Sequence, residues 1–196
     1  MVTVPHSKFI LILASLSLAL SACGNSVSQQ APAEFQHGQS DVEVHHPKKI
    51  KVQDSDLEAQ LDLAEQTATP SGRAIIKKAR EMITDQEIVI GSCWDYINAI
   101  YDRANVPNAK RKIIFAGEKA GPFADINLIE AGDWLYFINH SYGDVEHSAI
   151  FIMWTDLEHK QALMISYPGG NQSVPARFNT YDLSSVYHIM RPELSN

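Results

Sequence analysis

Cys93 and His147 are the two side chains in this 196-residue chain whose type and setting suit nucleophilic catalysis. Cys93 follows Ile88-Val89-Ile90-Gly91-Ser92 and leads into Tyr96-Ile97-Asn98-Ala99-Ile100-Tyr101, whose apolar residues recur at helical spacing. That pattern predicts Cys93 in the first turn of a helix. Unpaired N–H groups and the positive end of the helix dipole there favour the thiolate, the nucleophilic form of cysteine. His147 opens an apolar run, Ser148-Ala149-Ile150-Phe151-Ile152, read as a strand. From a strand start its imidazole can take a proton from sulfur and return it to a leaving group. A dyad of this kind uses no cofactor and no metal. The bland alternative for Cys93 is a small buried hydrophobe.

The elements that must bring the pair together follow from periodicity. Ser55 and Glu58 form a capping box opening a helix through about Gln66, which Thr69-Pro70 breaks. A second helix runs from about Ser71 to Ile83, with Ile75, Ile76, Ala79, Met82 and Ile83 on one face. The nucleophile helix buries Ile97, Ile100 and Ala104. Residues 105–121 read as loop, and residues 122–129 as a helical turn. Strands are expected at Trp134–Ile138, from His147, at Ala162–Tyr167 and at Val186–Arg191, joined by links short enough to require antiparallel pairing. The order is α+β, with helices first and a sheet after.

Composition bounds the function. The hydrophobic share of 45% with 20% charged residues describes one globular domain. The formal charge is −7, and Lys110-Arg111-Lys112 is the one tight basic triplet, so nucleic acid is not an expected partner. Near the N-terminus Lys8 precedes 14 uncharged residues, Phe9 to Ala22, too few to span a membrane comfortably. Leu20-Ser21-Ala22-Cys23 resembles a bacterial lipoprotein signal, which implies cleavage before Cys23 and lipid on its sulfur. Gly24, where an aspartate is absent, is compatible with transfer to an outer membrane. The expected division is a signal peptide at 1–22, a lipidated polar tether at 23–53 and a folded domain at 54–196. His45 and His46 in the tether receive no role. With Cys23 lipidated, Cys93 is a lone thiol in an oxidising compartment; a Cys23–Cys93 disulfide is the other option.

Gly91-Ser92-Cys93, then Leu128-Ile129-Glu130-Ala131-Gly132-Asp133-Trp134-Leu135-Tyr136-Phe137, then His147-Ser148-Ala149-Ile150-Phe151-Ile152 resemble the NlpC-type papain-like cell-wall peptidases in order and spacing, and more loosely the CHAP amidases. The resemblance covers roughly residues 72–170. It implies a papain-like fold, the nucleophile helix packed on an antiparallel sheet. It further implies a cysteine peptidase or amidase acting on a peptidoglycan stem peptide, held at the membrane by its N-terminal lipid and working as a monomer. Departures from the family are Ser92 for aspartate before the cysteine and Trp94-Asp95 for serine-glycine after it, which puts the substrate in doubt.

In the resemblance a third polar residue orients the imidazole. Folding residues 147–167 as a hairpin about Leu157 and Glu158 sets Ser166 across from Ala149, while Asn171 in the following Gly-rich loop matches the family's chemistry better; both stay open. Asp95 and Tyr96 either line the cleft or are a helix acid and a packed aromatic. His159 falls in the hairpin turn and is read as solvent-facing, and His188 as core or rim. The same dyad also serves a thiol acyl-hydrolase or acyltransferase, and a catalytically silent cell-wall-binding module is the alternative outside enzymes.

Overall fold

The computed structural model describes residues 54–169 and 174–194. The fold is α+β: helices α1 (Asp54–Thr67), α2 (Pro70–Thr84) and α3 (Cys93–Arg103) precede strands β1 (Arg111–Ala116), β2 (Trp134–Asn139), β3 (Val145–Asp156), β4 (Gln161–Ser166), β5 (Arg177–Asp182) and β6 (Val186–Pro192). Thr69 starts α2 by accepting from the Gly72 N–H at 3.1 Å, and Pro70 occupies the first helical position, where its missing N–H costs nothing. Ser55 lies inside α1 instead of ahead of it, so the expected cap at Ser55 is not the helix start.

The six strands form one antiparallel sheet in the order β1-β6-β2-β3-β4-β5. One face carries Trp134, Ile150, Ile152, Leu163 and Ile165 against Ile75, Ile76 and Met82 of α2 and Tyr96, Ile97 and Ile100 of α3. Each such aliphatic side chain removed from water contributes about 1.5–3 kcal/mol. The opposite face gathers Leu135, Phe137, Ala149, Phe151, Met164, Tyr181 and Ile189 into a second core. That core exists because the sheet coils. β5 and β2 are three strand spacings apart, roughly 14 Å in a flat sheet, yet the rings of Tyr181 and Phe137 lie 5.3 Å apart. Irregular register in β3 between Phe151 and Met153 and between Trp154 and Asp156 supplies the extra twist.

Two strands fall where the periodicity shows none. β1 occupies part of the 105–121 stretch read as loop, and β5 has no counterpart among the expected strands; both are edge strands. The expected helical turn shrinks to a 3-10 turn at Ile126–Leu128. The Gly132-Asp133 turn before β2 is held by a buried ion pair. Arg191 Nε and Nη2 donate to Asp133 at 2.9 and 2.8 Å, and the Glu130 N–H donates to the same carboxylate at 2.9 Å. Among the described residues no helix is long and apolar enough to cross a membrane.

Candidate active site

The turn into α3 is built around a carboxylate. Asp95 Oδ2 accepts from the Ser92 N–H at 2.6 Å and from the Ser92 hydroxyl at 2.8 Å, bonds that hold the Asp95 carboxyl below its usual range. Gly91 lies at φ +135°, and a Cβ on it would come within 2.3 Å of that carboxylate, so a residue without a side chain is required. Asp95 is therefore a helix-capping acid and does not line the cleft. Tyr96 is fully buried and stacks on Tyr167 at 4.4 Å, so it too is outside the cleft, a core aromatic. Trp94 is outside as well, packing on Trp134 with ring centroids 5.7 Å apart.

This geometry leaves Cys93, half-buried, on the wall of a cavity of about 450 Å3. His147, Ser166, Tyr142, Arg177, Asn179 and Tyr181 line it too. Ser148, the residue after His147, faces the helix side by strand alternation, and its hydroxyl donates to Cys93 Sγ at 3.5 Å. Burial pushes the Cys93 thiol pKa up, and the nearby His147 imidazole, first among the opposing groups, together with the Ser148 hydroxyl and N–H, outweighs it; of these the Ser148 hydroxyl is the one in hydrogen-bond contact with the sulfur. The net result is a thiol lowered from 9.0 to about 7, so that close to half is thiolate at neutral pH. The Cys93 N–H lies in the first helical turn, where N–H groups have no intrahelical acceptor.

Gly169 closes the other side. At φ +66° it sets its Cα against the α3 start, and a Cβ there would fall 2.9 Å from Cys93 N and from Ser92 Cα. The loop leaving β4 thus lies directly over the turn that carries Cys93.

His147 is held by rings. Phe137, its register partner on β2, meets it edge to face at 5.6 Å, and Tyr181 lies 5.5 Å away. Ser166 is across from Ala149 as the hairpin predicts, buried, and accepts from the Tyr181 hydroxyl at 3.0 Å. The structure thus brings Cys93, His147 and Ser166 to one cavity. Asn171, Cys23, His45 and His46 lie outside the described residues. His159 is exposed in the β3–β4 turn and bonded to Asp156 at 2.8 Å. His188 is a half-buried rim residue edge-on to Tyr136. Its pKa is lowered by burial.

The residues that periodicity missed are Ser148, legible from alternation once His147 is placed, and Tyr181 and Arg177, which required β5. No group of three or more metal-ligating side chains occurs among the described residues. Set against protein-family models, curated proteins and solved structures, the chain finds no match in any of the three.

Proposed function

We propose that this chain is an exported, lipid-anchored cysteine hydrolase with a papain-like domain of NlpC type, which opens amide bonds of peptidoglycan stem peptides. The observation that carries the reading is the Cys93 thiol, poised at about 7 on a cavity wall beside His147. A buried structural cysteine has no use for a lowered pKa; a nucleophile does. The export and anchoring part rests on Lys8, the uncharged stretch to Ala22 and Cys23. The stem-peptide part rests on the resemblance of the Cys93, Gly132-Asp133 and His147 segments to cell-wall peptidases.

In the proposed reaction Cys93 thiolate attacks the amide carbonyl carbon, and the electron pair of the C=O bond moves to oxygen. The Cys93 N–H donates to that oxyanion. Imidazolium His147 gives its proton to the amide nitrogen as the C–N bond breaks, and the amine leaves a thioester. His147 then takes a proton from water, the hydroxide adds to the thioester carbon, and the C–S bond breaks, freeing a carboxylic acid and the thiolate. Ser148 stabilises the thiolate at the start and end of the cycle.

Digestion of purified peptidoglycan with the wild type and with Cys93→Ala tests the reading. Peptide fragments released only by the wild type are expected. Equal binding of both forms without turnover would replace the hydrolase with a binding module.

A further inference from the structure

Arg177 is a charged residue of the cavity wall for which the proposed reaction has no use. It opens β5, opposite Ser166, which is itself opposite Ala149, and alternation sets Arg177, Asn179 and Tyr181 on the His147 side of the sheet. Arg177 is exposed to solvent and, among the described residues, makes no salt bridge and no side-chain hydrogen bond. Among the described residues the one carboxylate on the cavity wall, Glu146, is already engaged by Lys119 and by the Tyr187 hydroxyl at 2.7 Å. A guanidinium without a partner among the described residues, on the wall of an open cavity in a chain of formal charge −7, is matched to an incoming anion.

We propose that Arg177, with the Asn179 amide beside it, is a specificity-determining anion subsite, and that the substrate is an amide carrying a free carboxylate a short distance from the carbonyl attacked by Cys93. The inference rests on Cys93 being the nucleophile and deepens that reading by naming a substrate class. Its scale follows from the sheet. In a flat sheet Arg177 would stand two strand spacings, about 10 Å, to the side of the His147 strand and two residues, about 7 Å, along it; the coiling that brings the Tyr181 and His147 rings to 5.5 Å shortens that reach, and an extended arginine covers much of the remainder. The carboxylate therefore belongs within about one to two residue lengths of the carbonyl, at 3.3–3.6 Å per residue.

Bromoacetyl derivatives of glycine, β-alanine and 4-aminobutyrate, each as free acid and as primary amide, measure this without a known substrate. Each alkylates Cys93 with loss of bromide, followed by intact mass, and the acid-to-amide rate ratio within one protein reads the anion preference. At the best length the wild-type ratio should exceed that of glutathione about tenfold, the size of one charge-assisted hydrogen bond. It should fall in 0.5 M NaCl, a loss that needs no variant. Arg177→Gln should return it to the glutathione value, while Arg177→Lys should retain part of it.

A wild-type ratio equal to that of glutathione at all three lengths, or a high ratio that survives in Arg177→Gln, would overturn the subsite, the second by assigning the attraction to His147 and the α3 start. If Cys93 reacts no faster than glutathione with the amides at neutral pH, the hydrolase reading fails instead, and the ratio still reads Arg177.

Discussion

Replacing His147 with alanine tests how much of the Cys93 poise comes from the imidazole. The sulfur is lowered from 9.0 to about 7 against the opposing effect of burial, and His147 leads the groups that lower it. Its removal should raise the thiol above 7, and as far as about 9 where the remaining Ser148 contributions only balance burial. At that limit the thiolate fraction at pH 7 drops from near one half to about 1%, a roughly fiftyfold loss. Part of this is recovered, since a thiolate of higher pKa is intrinsically more nucleophilic. With a Brønsted slope of 0.4–0.5 a two-unit rise makes each thiolate about eightfold faster, so alkylation by iodoacetamide at pH 7 should slow only about sixfold. The midpoint of rate against pH is the cleaner readout, and it should move up from about 7 toward about 9 while the high-pH plateau rises. A midpoint still near 7 in His147→Ala would refute the reasoning and leave the helix start and Ser148 as the whole cause. Amide hydrolysis should fall much further than alkylation, because the leaving amine also loses its proton donor.

Ser148→Ala should raise the same midpoint by less than His147→Ala, since only one hydroxyl bond is lost; a pH profile with iodoacetamide checks it. Gly169→Ala forces a left-handed φ of +66° on a residue with a Cβ and drives that Cβ into the α3 start. It should cost about 1–3 kcal/mol by denaturant unfolding and slow Cys93 alkylation. Asp133→Ala strips the acid from a pair whose carboxylate is 1% exposed and should cost about 3 kcal/mol in the same assay. The folded thiol ionises near 7 and the unfolded one near 9, so the unfolded chain binds the extra proton between those values. Wild-type stability relative to Cys93→Ser should therefore rise with pH from 7 to 9, and lose that gain as pH falls through 7.

The parts of the site readable without coordinates are those fixed by local chemistry. Gly91-Ser92-Cys93 ahead of a helical repeat puts the sulfur at a helix start, and the hairpin count from His147 sets Ser166 across from Ala149. Asp95 was ambiguous because a cap and a cleft acid look alike until the Ser92 bonds are seen. Tyr96 was ambiguous because its phenol is apolar enough for the core and polar enough for a site. β1 and β5 escaped for a common reason: an edge strand has one pairing neighbour and more open surface, so Arg177-Phe178-Asn179-Thr180-Tyr181-Asp182 carries no clean apolar alternation. With β5 went Arg177 and Tyr181, whose approach to His147 depends on the coiling of the sheet, a property of the whole strand set and of its bulges rather than of any segment.

The central claim is that Cys93 forms a thioester with the acyl part of an amide. Hydroxylamine added during digestion of soluble stem peptides captures such an intermediate as a hydroxamate, read by mass. The account predicts hydroxamate together with released amine from the wild type, and neither from Cys93→Ala. Equal fragments from both proteins, or none from the wild type, would contradict it.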